Sequence, residues 1–516
     1  MKIAAFLLML AFQASAQTYR VSGTVVDSEG GAPLTRARVV LTGGPTPEQS
    51  VVTRANGKFS FDVPRGKYTL LASHHDFGES YGQKPSGTAD SSIVVGPDLD
   101  TTGILFRWHA PIAIHGKIVD QIGDPVFDAK IELFVETVAD GKRHIVSMGR
   151  AESDESGNYS WSSLPAGTYY LAATGEPWYY SDPSAKDELM EAGRLTPYAL
   201  TYFPTGNDAR AATPLRLRPG AKAQADFTLR PASGAEVRFT CPDSACTGPI
   251  SLSAVGIGGA ETLVSSTYAA LNDVVPGVLP GRYVVRYSDD EQSMRKEIEV
   301  AGAGITVQIT PKPFPTLTGK IAFEDRENRP RHQLLVNILN EETNQTATVP
   351  LGADGSFSFT KLSASHVRLV LSSAEGFFVK HMSVEGAPMH DGIIEIADGA
   401  SVKVNLTASA ETGRLKGFVI DGEKSVPMVM VVLAPAIASS NPNSYFGFQT
   451  DSDGSFDFSA VPAGEYVLLA VNNQDFEYTS PETIQPYLKT AKRVLIEPGG
   501  TQTERIGLAS ELQPEP

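Results

Sequence analysis

The sequence predicts an all-β chain built as five tandem antiparallel β-sandwiches with short helical insertions. Three observations lead there. The first is internal repetition: the pattern apolar-x-Gly-x-apolar recurs around Gly23, Gly116, Gly319 and Gly417, at intervals of 93, 203 and 98 residues. The second is alternation: Gly57-Lys-Phe59-Ser-Phe61, Gly157-Asn-Tyr159-Ser-Trp161 and Gly454-Ser-Phe456-Asp-Phe458 place two aromatics two residues apart, so both point to one face of a strand. The third is composition. The 516 residues include 47 Gly and 35 Pro, with 41% hydrophobic and 20% charged residues, which describes a folded chain rich in turns.

Taken in order, Met1-Lys2, the apolar stretch Ile3 to Phe12 and Ala14-Ser15-Ala16 read as a signal peptide cleaved near Ala16, over residues 1–16. The stretch is too short to cross a bilayer, which takes about 20 residues. The expected location is therefore exported, periplasmic or extracellular, with no membrane insertion of the mature chain. Sandwich 1 (17–108) starts at Val21-Ser-Gly23-Thr-Val25-Val-Asp27 and carries Pro64-Arg-Gly66-Lys-Tyr68 after its aromatic pair. The Asp-x-x-Gly or Asp-Gly and Pro-x-Gly steps are turns, and the Tyr opens a further alternating strand.

Sandwich 2 (109–232) repeats this from Ile114-His-Gly116 to Pro165-Ala-Gly167-Thr-Tyr169, followed by an insertion in which Ala185 to Gly193 has helical periodicity. Sandwich 3 (233–313) is divergent, keeping Pro280-Gly281-Arg-Tyr283. Between its first strands lie Cys241 and Cys246, whose Cys-Pro-Asp-Ser-Ala-Cys spacing and exported setting predict a disulfide. Sandwich 4 (314–410) keeps Gly355-Ser-Phe357-Ser-Phe359 and loses the Pro-Gly-Tyr step around Ala364 to Val367. The three prolines at Pro311, Pro313 and Pro315 read as a stiff spacer before it. Sandwich 5 (411–509) restores both signatures and has a second helical stretch, Glu482 to Ala491, after Pro481. Residues 510–516 read as a disordered tail.

With Gly-x-Pro turns at Gly31-Ala-Pro33 and Gly123-Asp-Pro125 added, these motifs resemble carboxypeptidase regulatory-like domains in tandem. Sandwiches 1, 2 and 5 carry the pattern fully, and 3 and 4 in part. The resemblance implies transthyretin-like, immunoglobulin-like Greek-key sandwiches, related in shape to starch-binding and collagen-adhesin B-type modules. It implies no catalytic residues in the domain and a binding role toward carbohydrate or protein.

The formal charge of −16 and the lack of a dense Lys/Arg run argue against nucleic acid as a partner. No His-Glu-x-x-His, His-x-x-Glu, Gly-x-Ser-x-Gly or phosphate-loop motif occurs, so no catalytic residue, metal or cofactor is expected. His74-His75-Asp76 reads as a solvated loop. Asp451-Ser-Asp453-Gly454 reads as a turn, because the twelfth position of a calcium loop falls on Pro462. The candidate ligand-binding residues are Trp178, Tyr179 and Tyr180, three adjacent aromatics between Pro177 and Pro183, with Tyr445-Phe446-Gly-Phe448 a weaker case. Local packing is the competing account of both. The expected partner is a glycan or a cell-envelope protein, the alternatives being a ligand-free structural spacer and an enzyme with an unrecognised site.

Overall fold

The computed structural model describes residues 17–84, 91–177, 198–231, 234–242, 246–268, 274–324, 333–343, 345–372, 376–439 and 441–509. Among them the strands form ten sheets, which pair face to face over apolar cores. The all-β sandwich class read from the sequence is what the chain adopts. Residues up to Gln83, with Asp90–His109 and Asp451–Asp453, form one compact unit, and the remaining residues form a second.

The same pairing recurs in every sandwich. In sandwich 1 the strand Thr18–Asp27 lies antiparallel to Lys58–Pro64 and parallel to Ile104–Trp108. The opposing sheet runs Gln49–Val52, Arg38–Gly43, Gly66–His74, Phe77–Ser80. The opening strands Ile112–Val119, Ala235–Thr240, Thr316–Phe323 and Thr412–Asp421 repeat both contacts, each pairing in parallel with the strand that closes its sandwich. The closing strand reaches that position by crossing from the opposite sheet, so each sandwich contains one parallel ladder within otherwise antiparallel sheets.

The repeated glycine now has a reason. Gly23, Gly116, Gly319 and Gly417 sit directly across from the first aromatic of the second signature: Phe59, Tyr159, Phe357 and Phe456. A Cβ at Gly417 would lie 2.0 Å from the Glu504 carbonyl oxygen of the parallel strand and 2.7 Å from the Phe456 ring. The aromatic lies over bare backbone, and glycine and ring form one packing unit. Sandwich 3 has Val237 opposite Val275 instead, so it lost glycine and aromatic together.

Turn chemistry follows the second signature. Gly57 and Gly157 both occupy hairpin turns at positive φ, 67° and 78°. Asp154 Oδ1 closes the second of these by accepting from the Ser156 and Asn158 amides. In the Pro-x-Gly-x-Tyr step, the hydroxyls of Tyr68, Tyr169 and Tyr466 donate to the carbonyls of Pro64, Pro165 and Pro462, each four residues back. Tyr283 does the same to Leu279. Burial pushes the Tyr283 and Tyr466 phenols up to about 12, so this turn-locking proton stays in place through the neutral range.

One element of the repeat has no counterpart in the sequence reading. Ser153 Oγ, 4% exposed as a residue, accepts from the Ala129 amide and donates to the Val126 carbonyl. Thr53 and Thr450 make the same pair of bonds in sandwiches 1 and 5. In each case the hydroxyl lies four residues before the turn glycine, at Gly57, Gly157 and Gly454. Ser153→Ala would strand a buried amide and carbonyl, and is expected to cost about 1–3 kcal/mol. Denaturant unfolding measures this, and an unchanged midpoint would remove the hydroxyl from the framework.

Most of the paired aromatics are buried: Phe59 3%, Phe61 5%, Tyr159 4%, Phe456 1% and Phe458 6% exposed. Trp161 is only half-buried, because the strand register shifts between Trp161 and Leu164 and turns the ring to the core's edge. The spacer around Pro313 is held in place: Lys312–Pro313 pairs with Gln292–Val300, and the Leu362 amide donates to the Pro315 carbonyl. The helical stretch after Pro481 is short, an α-turn over Pro481–Ile484 continued as 3-10 helix over Gln485–Tyr487.

Candidate functional site

Within the second unit, sandwiches meet through polar and aromatic contacts, and one junction gathers three of them. Arg368, on the strand Ser365–Ser372 of sandwich 4, is 6% exposed. Its Nε donates to Glu341 Oε1 at 2.8 Å and its Nη1 to Asn443 Oδ1 of sandwich 5 at 2.8 Å. Its Nη2 reaches Asp140 Oδ2 of sandwich 2 at 3.4 Å. Lys142 Nζ approaches the second Glu341 oxygen at 3.4 Å. Burial alone would raise the Glu341 carboxyl, but the hydrogen bond and charge of Arg368, then Lys142, outweigh it and hold it below the usual carboxylate range.

Asp140 and Gly141 form the tip of the hairpin Lys130–Ala139/Lys142–Glu152. The Tyr478 ring is wedged between two glycines: a Cβ at Gly141 or at Gly447 would come within 2.6 or 2.5 Å of it. Thr479 donates both its amide and its hydroxyl to the Gly141 carbonyl. Next to this wedge, Arg143 binds Glu136 on its own hairpin and Glu477 of sandwich 5. A cleft opens there, with Arg143 on one wall and residues of the 473–487 segment on the other.

Sandwich 2 also touches sandwich 3 through a small cluster of Phe134, Tyr202 and Ile257, with Gly258 against Ile145. Sandwich 3 meets sandwich 4 where the Arg295 amide donates to Asp398. Sandwich 2 therefore contacts 3, 4 and 5, and these sandwiches are coupled instead of strung on free linkers.

The first unit carries its own cluster. His109 sits on Glu79, which is 7% exposed; its amide donates to Glu79 Oε1 at 2.6 Å and its Nδ1 lies 3.0 Å from Oε2. The Glu79 hydrogen bond raises the His109 pKa against opposing burial, with the charges of Glu79, Glu29 and Asp27 adding to it. His74 packs edge-on against Trp108 at 5.3 Å, and its pKa is lowered by burial and by His75. A raised folded pKa means that the His109 contribution is full below about pH 6.5 and is lost as pH rises through the folded value. The melting of the first unit is therefore expected to drop as pH rises above about 6.5. His109→Gln should flatten that dependence, and an equally pH-dependent variant would assign it elsewhere.

Trp178, Tyr179 and Tyr180 lie outside the described residues, as does the helical segment Ala185 to Gly193. Cys241 and Cys246 form the disulfide, with Cα atoms 6.1 Å apart, and Cys246 packs into the sandwich 3 core. The Tyr445-Phe446-Gly-Phe448 segment is not an exposed surface. Tyr445 is 7% exposed with its hydroxyl on the Ser439 carbonyl, and Phe446 and Phe448 pack on the core. His75 and Asp76 are exposed in a hairpin turn. In the 451–453 turn both Asp451 oxygens accept protein donors, Lys67 Nζ and the Ser92 amide, within the first unit. Among the described residues no three His, Cys, Asp or Glu side chains gather in a way that could hold a metal ion, and no helix is long and apolar enough to cross a membrane.

Sequence reasoning missed the Arg368 junction and the cleft beside it, since their members come from three sandwiches and share no motif. The only sequence trace is the Asp140-Gly141 hairpin turn.

Comparison with curated proteins finds no match. Among solved structures, the Bacillus anthracis TIE protein is 11% identical over 76% of this chain and 74% of its own, with a TM-score of 0.18. Two B repeat units of the Staphylococcus aureus collagen binding protein are 14% identical over 76% of this chain and 100% of their own, with a TM-score of 0.13. A shaft pilin mutant from Lactobacillus rhamnosus GG is 11% identical over 42% of this chain and 98% of its own, with a TM-score of 0.20. Scores this low carry no argument about function. The family comparison is more local: residues 20–95, the stretch holding both signatures of sandwich 1, match the carboxypeptidase regulatory-like domain.

Proposed function

We propose that this chain is an exported, non-enzymatic binding protein that acts on a carbohydrate or a cell-envelope protein, with sandwiches 2 to 5 serving as a fixed frame. The observation that carries the reading is the Arg368 junction. Its buried guanidinium is spent on holding three sandwiches together, through Glu341, Asn443 and Asp140. Ordering of that kind suits a surface that must be presented in one geometry, because preorganisation lowers the cost of binding. The carboxypeptidase regulatory-like match over residues 20–95 supports the non-enzymatic part.

The reading includes five sandwiches divided near Trp108, Ala232, Phe314 and Glu411, and an aromatic ligand surface at Trp178, Tyr179 and Tyr180. A ligand-free spacer is the second reading, favoured by the Lys312–Pro313 strand that stiffens the step between sandwiches 3 and 4. A glycan array probed with the full chain, together with crosslinking to purified envelope proteins, separates the two. Retention of a glycan class or of one envelope protein is expected, and the absence of both leaves the spacer. Loss of that binding in Trp178→Ala/Tyr180→Ala, at unchanged stability, would assign it to the aromatic surface; unchanged binding removes that surface from the reading.

A further inference from the structure

The cleft between the hairpin of sandwich 2 and the 473–487 segment of sandwich 5 has a volume of about 340 Å³. That is at the lower end of the roughly 300–1,000 Å³ of small-molecule sites, and junctions between domains are where such sites concentrate. Its floor is fixed: Phe476 and Tyr487 meet edge to face, with ring centres 5.5 Å apart, and are 4% and 9% exposed. Their faces are covered, so they give the cleft shape and offer no stacking platform. The walls are polar, from Asn473, Asp475, Glu477, Thr483 and Arg143.

Two features narrow the ligand. Asp475 lines the cleft and has one carboxylate oxygen, Oδ1, buried without a hydrogen-bond donor. Its backbone amide is already committed to Asn473 Oδ1 at 3.0 Å. A buried acceptor left unpaired is costly, so a ligand that brings a donor to this carboxylate gains more than an ordinary surface hydrogen bond. Charge is balanced around it. Arg143 pairs with Glu477, and the buried Lys84 is the cation that faces Asp475. The site therefore selects neither a cation nor an anion, and it combines an amide, a hydroxyl and a carboxylate.

We propose that this cleft binds the end of a neutral saccharide, whose hydroxyls donate to the Asp475 carboxylate and exchange hydrogen bonds with Asn473 and Thr483. The proposal rests on the binding reading above and gives it a second site, distinct from the aromatic surface. Calorimetric titration of the full chain with cellobiose, maltose and chitobiose, up to about 10 mM, tests it, since millimolar affinity is within reach of a few hydrogen bonds. Lysine and glucuronate serve as charged probes.

At least one neutral disaccharide is expected to bind saturably, with affinity reduced about tenfold or more in Asp475→Ala and in Thr483→Val. Asn473→Ala, on an exposed side chain, gives the same reading if Asp475→Ala folds poorly. Binding of none of the disaccharides, preference for a charged probe, or unchanged affinity in the folded variants would each overturn the cleft assignment. A glycan that still binds all three variants overturns the cleft and leaves the binding reading standing. A chain that retains no glycan and no envelope protein removes both.

Discussion

Arg368→Leu is expected to lower the unfolding free energy of the second unit by about 3–5 kcal/mol, because it leaves the Glu341 carboxylate buried without its main cation. Glu341 has a side-chain exposure of 8%, so water cannot replace the guanidinium. The loss should not stay in sandwich 4. Arg368 also holds Asn443 and Asp140, so calorimetry should show the transitions of sandwiches 2, 4 and 5 shifting together. In the parent, the lowered Glu341 pKa contributes stability that is present above the ordinary carboxylate range and lost as pH falls through the folded value. Removing Arg368 removes that contribution, so the gap between parent and variant should narrow at acid pH. Replacing both partners by apolar residues should recover much of the loss. A variant with parental unfolding would mean that the junction is incidental.

Phe456→Ala is expected to cost a similar amount, about 3–5 kcal/mol, but by another route. The ring is 1% exposed and lies over Gly417, so truncation opens a cavity against bare backbone that no side chain can lean in to fill. The reverse substitution is as informative. In Gly417→Ala the new methyl meets both the Phe456 ring and the Glu504 carbonyl, a steric conflict that costs about 1–3 kcal/mol or more. Combining the two should relieve the ring contact and leave the carbonyl contact, so the double variant stays unstable. Denaturant unfolding of the full chain reads all three. If Phe456→Ala leaves the sandwich 5 transition in place, the ring is not part of its core.

What the sequence shows directly are features written within a few residues. Turn glycines such as Gly157, the alternating aromatics and the Tyr466 turn lock are local, and their spacing alone reports a sandwich. The parallel ladder is not legible, because no motif joins Thr412–Asp421 to Thr501–Ile506. The Ser153 hydroxyl was legible only in hindsight of geometry: serine or threonine four residues before a turn glycine looks like any loop residue until its partners are known. Arg368 stayed hidden for a stronger reason. It lies in the sandwich whose second signature is eroded, and its Asp140 partner is 228 residues away. Side chains that join sandwiches are chosen by their neighbours in space, and periodicity carries no trace of them.

The parallel ladder between opening and closing strands has a mechanical consequence. Each sandwich is entered along one strand and left along a neighbour running the same way, so tension applied through the chain pulls those strands in opposite directions along their length. The hydrogen bonds from Thr316–Ser401 to Phe323–Ala408 are then loaded side by side in shear, instead of being peeled open one at a time. Rupture under load is governed by the unfolding rate. A sandwich of this topology should thus resist stretching better than its equilibrium stability alone implies, with the longest ladder, in sandwich 4, giving way last.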